Sequence, residues 1–132
     1  MTQHNPPAAQ QPASGLPADS LQQLQSAIRA FVAERDWQQF HTPKNLAMAM
    51  IVEAAELVEI LQWDTPEQSA QMDDNKRQQL SHELADTLVY LIRLADVLGI
   101  DLIQAAQQKM LFNAQKYPVE KAKGNSAKYS QL

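Results

Sequence analysis

The chain has 132 residues, 45% of them hydrophobic, which favours one folded domain with a real core over a disordered chain. Three glycines and seven prolines, four of the prolines before residue 18, leave little turn punctuation for an all-β fold. A formal net charge of -4 with no long basic run speaks against binding nucleic acid through its phosphates, and the lack of cysteine excludes disulfides and thiolate metal sites.

No run of about 18 apolar residues and no leader pattern is visible, so a cytoplasmic protein is expected. Residues 1–19 are rich in Pro, Gln and Ala and carry almost no large apolar side chain. They cannot bury enough surface to offset their ordering entropy, which predicts a disordered tail, His4 included.

The folded domain is expected over residues 20–118. A first helix starts near Asp19 or Ser20, both good N-caps, and places Leu21, Leu24, Ile28, Phe31 and Val32 at helical spacing. The segment "WQQFHTPKN" interrupts it. Thr42-Pro43 then reads as a cap followed by proline at the first helical position, opening a second helix from about Pro43 to Gln62. "WDTPEQSAQMDDNK" is a polar loop with room for a short turn after Thr65-Pro66. A third helix is predicted from about Lys76 to Leu98, ended by Gly99. Asp101 caps a fourth, which stops at Lys116 before Pro118. Residues 119–132 form a polar C-terminal tail. The fold class is therefore all-α, with four main helices and no strict internal repeat.

The second helix carries acids where apolar groups belong. With about 100° per residue, Glu53 and Glu56 fall about 60° apart, on the face that holds Leu46, Leu57 and Ile60. Glu59 points away and reads as a solvated charge. In "LSHELADTLVYLIRLADVL" the pattern recurs: Glu83 and Asp86 share a face with Leu80, Thr87, Tyr90, Leu94 and Val97. Two packed helices that each offer Glu-x-x-Glu/Asp from an apolar stripe bring four carboxylates together.

Such a cluster repels itself and is costly to desolvate. Protons or cations relieve it. With oxygen ligands alone, Mg²⁺ suits it, with Mn²⁺ as a substitute, better than zinc. Di-iron bundles use Glu-x-x-His, and neither Glu53 nor Glu83 is followed by histidine three residues on. Against this stands a structural reading in which the third helix is rotated and its acids pair with Arg35 or Arg93.

Lys109, Asn113 and Lys116 form one polar stripe on the fourth helix, an ordinary solvated face unless it lies beside an anionic site, where it offers donors to a polyphosphate. Trp37, Phe40, His41 and Trp63 border the breaks between helices; core packing is the simple account, and stacking on a nucleobase the functional one. His82 points about 100° away from Glu83 and is expected at the surface or behind the ligands.

Taken together, "ERDWQQFHTPKNLAMAMIVEAAELVEILQW", "ELADTLVYLIRLADVLGIDL" and "KMLFNAQKYPVEKAKGNSAKY" resemble the all-α nucleoside triphosphate pyrophosphohydrolases of the MazG-like superfamily, in particular its dCTP pyrophosphatase branch. The resemblance runs from about Leu21 to Tyr129. It implies a helical bundle that assembles as a dimer or tetramer, with sites completed between subunits. It also implies Mg²⁺-dependent cleavage of a nucleoside triphosphate to monophosphate and pyrophosphate, in nucleotide-pool sanitation.

By the same resemblance Glu53, Glu56, Glu83 and Asp86 are the metal ligands and catalytic acids; a carboxylate not fully engaged in coordination would receive the proton of the attacking water, and Glu56 is the candidate for it. Trp37, Gln38, Gln39, Phe40, His41, Trp63 and Tyr90 line the nucleoside pocket, and Lys109, Asn113 and Lys116 contact phosphates. Animal relatives carry a histidine nine residues before the first tryptophan, where this chain has Ile28. That difference leaves room for broad specificity or a modified base. A non-catalytic, oligomeric nucleotide-binding bundle is the alternative of another class. Neither a nucleic-acid polymer nor a membrane is an expected partner.

Overall fold

The computed structural model describes residues 20–132. The expected N-terminal tail, residues 1–19 with His4, lies outside the described residues. Helices follow one another as α1 (Ser20–Glu34), α2 (Pro43–Leu61), α3 (Pro66–Ala70), α4 (Asp74–Val97), α5 (Leu102–Lys116) and α6 (Val119–Ala122). Short 3-10 turns occupy Gln38–Phe40 and Tyr129–Gln131, and there is no strand among the described residues.

Local chemistry sets the helix ends. Thr42 accepts a hydrogen bond from the Asn45 amide, and Pro43 follows at the first helical position. Thr65 and Gln68 form a reciprocal capping box that makes the turn after Pro66 a true short helix. Asp73 accepts from the Lys76 amide at 2.8 Å and starts α4 two residues earlier than the apolar pattern predicts. Asp101 caps α5 as expected, through the Gln104 amide.

Two of the helix C-termini share one geometry. After α4, Gly99 takes φ +66 while Ile100 N donates to Ala95 O and Gly99 N donates to Asp96 O. After α1 the same double closure, Trp37 N to Val32 O and Asp36 N to Ala33 O, is made with Asp36 at φ 53. Aspartate tolerates this left-handed conformation better than most side chains. Gln39 Nε2 donates to the Asp36 carbonyl and carboxylate, holding the turn that carries Trp37.

Helix α4 is the central element. It packs along α2 and also against α1. Toward α1 it buries Ile92 with Ile28 and Val32, with Leu21, Val89 and Leu102 against them. Leu46 of α2 is 1% exposed. The single inward stripe expected on this helix is thus half of the picture, because Ile92 lies about 180° from Glu83 around the axis. A helix packed on two sides needs two apolar faces.

The fourth long helix, α5, has no buried residue, and Met110, Leu111 and Phe112 lie on its surface. Of the four long helices, three form the packed unit and α5 joins it mainly through Leu102. Within residues 119–132, Tyr129 packs edge-to-face on Tyr117, with the Lys116 ammonium 4.9 Å from its ring centroid. No helix among the described residues is long and apolar enough to cross a membrane.

Candidate active site

Glu53 and Glu56 stand one turn apart on α2, and Glu83 faces them from α4. One carboxylate oxygen from each lies within 4.8 Å of the others. Helical spacing alone puts the first two on one face; the packing of α2 along α4 brings the third. Asp86 lies one turn beyond Glu83 and acts on both Glu53 and Glu83 through its charge.

None of the four acids makes a salt bridge among the described residues. Arg35 pairs with Glu34 and stacks on the Phe31 ring, and Arg93 pairs with Asp96. The structural ion-pair reading of the cluster therefore fails. Glu83 Oε2 is buried and has no hydrogen-bond partner. Burial, then the Glu56 and Asp86 charges, raise the Glu53 carboxyl above its ordinary pKa. Burial, then Glu56, do the same to Glu83.

An orphaned carboxylate oxygen amid other unpaired carboxylates fits a hard divalent cation that prefers oxygen ligands. Glu53, Glu56 and Glu83 are the residues that could hold it, with Asp86 at the edge.

Beside the cluster lies a cavity of about 450 Å³. Glu53 and Asp86 form its acidic wall; Phe31, Trp37 and Tyr90 give it aromatic walls, and His41 and Arg93 a polar corner. Phe31 and Trp37 meet edge-to-face at 5.9 Å between ring centroids. Such a volume and lining suit a small aromatic ligand. His41 Nδ1 accepts from Arg93 Nε at 3.2 Å, and its pKa is lowered by burial and then by the Arg93 charge.

Of the pocket residues expected from sequence, Trp37, His41 and Tyr90 line this cavity. Gln38, Gln39 and Phe40 form the 3-10 turn next to it, and their side chains are exposed. The Phe40 carbonyl instead accepts from Asn45 Nδ2, tying the turn to α2. Trp63 is 87% exposed and lies outside the cavity. Lys109, Asn113 and Lys116 line neither this cavity nor the smaller one bordered by Glu56, Glu59 and Glu83. His82 is exposed, as expected.

Sequence reading missed Phe31 and Arg93 as cavity residues. Phe31 shares the apolar stripe of α1 with core residues, so nothing marks it. Arg93 stands three residues past Tyr90, one turn along the same helix face, and that spacing is the signal that could have found it.

Among the described residues, two packed helices gather unpaired carboxylates beside an aromatic cavity, the kind of site in a helical protein that suits a divalent cation with an organic ligand. Comparison with known proteins gives the chain a family. The MazG-like family profile matches residues 48–132. The chain is 40% identical over 127 residues to dCTP pyrophosphatase 1 of Mus musculus, covering 95% of this chain and 75% of that one. It is 38% identical to dCTP pyrophosphatase 1 of Homo sapiens, over 88% of this chain and 69% of that one. A crystal structure of a pyrophosphatase from Archaeoglobus fulgidus superposes with a TM-score of 0.71 at 38% identity, covering 74% of this chain and 92% of that one. The chain belongs to the MazG-like family.

Proposed function

We propose that the protein is a Mg²⁺-dependent nucleoside triphosphate pyrophosphohydrolase that cleaves dCTP, or a closely related or modified nucleotide, to the monophosphate and pyrophosphate. One observation carries the reading: the unpaired carboxylate cluster and the aromatic cavity share a wall, made by Glu53 and Asp86. A base between the aromatic side chains would direct its phosphates toward the acids. Similarity to the dCTP pyrophosphatases supports this choice of substrate.

Glu53, Glu56, Glu83 and Asp86 hold the cation in this proposal. Once bound, Mg²⁺ supplies compensation for the substrate's negative charge and activation of the attacking water. Glu56 is the most accessible acid of the clustered three and takes the proton from that water. Water attacks phosphorus, the bond between the α and β phosphates breaks, and pyrophosphate leaves. Trp37 and Tyr90 hold the base by stacking, and His41 by a hydrogen bond.

We also propose that the working form is a homodimer or tetramer. Met110, Leu111, Phe112 and Trp63 are large apolar side chains that are more than half exposed in the single chain. A second copy covering α5 would bring Lys109, Asn113 and Lys116 toward a neighbouring cluster, where they could meet the triphosphate. A cytoplasmic location is in keeping with a chain that has no cysteine.

The test is incubation of pure protein with dCTP and Mg²⁺, the products resolved by ion-exchange chromatography. dCMP and pyrophosphate in equal amounts are expected; orthophosphate release contradicts the proposal. A panel of pyrimidine, purine and modified triphosphates ranks the substrates by kcat/KM.

A further inference from the structure

Behind the polar corner of the cavity runs a chain of charged groups that metal binding and base stacking do not use. Arg29 of α1 grips Asp96 of α4 in a bidentate pair, Nε donating to Oδ2 at 2.7 Å and Nη2 to Oδ1. Asp96 Oδ2 also accepts from Arg93 Nη1 at 3.4 Å. Arg93 Nε in turn donates to His41 Nδ1 at 3.2 Å. The Asp96 and Arg93 side chains are 9% and 11% exposed, while Arg29 at the far end is 58% exposed.

We propose that Arg93, held in place by the Asp96–Arg29 pair, is a positioning residue that fixes His41 as an imidazole donating from Nε2 into the nucleoside cavity. The inference rests on reading that cavity as the nucleotide site. A guanidinium carries donors only. The imidazole nitrogen facing it must therefore offer a lone pair, which leaves the ring hydrogen on the opposite nitrogen. Nε2 has no hydrogen-bond partner among the described residues, and His41 lines the cavity.

The other charged groups at the cavity are Glu53 from α2 and Asp86 from α4; α1 presents apolar side chains there, and its Arg29 connects to Arg93 through Asp96. Burial and the guanidinium both disfavour a second proton on the ring. A fixed donor at this corner selects a base whose facing edge carries a carbonyl oxygen or an unprotonated ring nitrogen. It rejects an edge that presents N–H there.

Long-range proton–nitrogen NMR on the imidazole signals tests this without turnover, with His41→Gln assigning the resonance. The expected spectrum has His41 as the Nε2–H tautomer, titrating below the ordinary histidine range; in Arg93→Met the signal becomes a tautomer mixture that titrates near about 6.5. For the nucleotide substrate, Arg93→Met should raise KM by about tenfold with kcat changed less than twofold. The KM penalty should shrink between pH 8 and pH 6, because an imidazolium donates from both ring nitrogens, and Arg93→Lys should recover part of it at pH 8.

An Nδ1–H tautomer, or ordinary titration of His41 in the wild-type chain, overturns the proposal, and so does an unchanged KM. If Arg93→Met does not fold, the wild-type spectrum alone decides. If the wild-type chain turns over no triphosphate, the assignment of the cavity to nucleotide is what fails, while the spectrum still decides whether Arg93 fixes the ring.

Discussion

Carboxylate oxygens of Glu53 on α2 and Glu83 on α4 lie within 4.8 Å of each other, thirty positions apart in sequence, and no cationic side chain comes between them. Both are held above the ordinary carboxylate pKa, by burial first and by neighbouring acids second, Glu56 and Asp86 in each case.

A carboxyl whose pKa is raised by folding binds its proton more tightly in the folded state. Its contribution favours the fold at low pH and turns unfavourable as pH rises from the ordinary value through the raised one. In EDTA, the thermal midpoint should therefore be higher at pH 5 than at pH 7. Saturating Mg²⁺ at pH 7 should restore several degrees, since a ligand at a hundredfold its Kd adds about 2.7 kcal/mol. Asp96, lowered chiefly by its hydrogen bond from Arg29, has the opposite sign, and its contribution disappears as pH falls below about 4. Scanning fluorimetry across pH with and without Mg²⁺ checks both limbs. A midpoint indifferent to Mg²⁺ would remove the cation from the site.

Glu53→Gln and Glu83→Gln should each reduce kcat by roughly a hundredfold or more, the scale seen when one electrostatic element of a site is lost. Both should leave the EDTA-treated protein at least as stable as wild type, because a repelling charge is gone. Loss of folding with loss of activity would make these acids structural.

Removal of a stacking ring should act on binding. Base stacking contributes about 1–3 kcal/mol, so Trp37→Ala or Tyr90→Ala should raise KM about tenfold or more with a smaller change in kcat. Trp63→Ala should leave monomer stability unaffected, given its exposure. Its effect on KM measures whether a neighbouring subunit uses it.

The turn at Asp36 gives a backbone prediction. Asp36→Gly relieves the left-handed conformation but gives up the Gln39 contact to the carboxylate, and should change stability by less than about 1 kcal/mol. Asp36→Val should destabilise by about 1–2 kcal/mol and raise KM by displacing Trp37. Denaturant titration and steady-state kinetics on the two variants give the comparison.

Leu111→Asp with Phe112→Asp places charge on the exposed face of α5. The double variant should elute as a monomer where the wild-type chain elutes as an oligomer, and should lose activity with its helicity intact. Light scattering coupled to gel filtration reads the mass. Monomeric protein with full turnover would separate assembly from catalysis.

The sequence was informative wherever the governing interaction is local. Thr42-Pro43, Asp101 and Gly99 mark helix ends through contacts a few residues long, and the spacing of Glu53, Glu56 and Glu83 announces the cluster. The Asp73 cap lies within a polar run, so the apolar pattern begins α4 two residues late. Packing of α4 on two sides was not visible, because a single inward stripe satisfies the period and leaves Ile92 and Ala95 on the supposed outside. The link from Arg93 to His41 joins residues 52 apart and has no periodic signature. Trp63, Lys109, Asn113 and Lys116 carry a different lesson: resemblance names them as ligand contacts, yet one copy of the chain does not bring them to its own cavity.

Helix α4 holds Glu83 and Asp86 in one stretch, Arg93 and Asp96 in the next, and the core residues Ile92 and Ala95 among them. Loosening the acidic end of this rod strains the same continuous ladder that anchors the hydrophobic centre. Amide exchange should therefore be slowest along α4 and should occur there in one cooperative step, with α5 and residues 119–132 opening at much lower free energy. Loss of the carboxylate cluster and global melting would then be a single event, with no populated intermediate in which the rest stays folded.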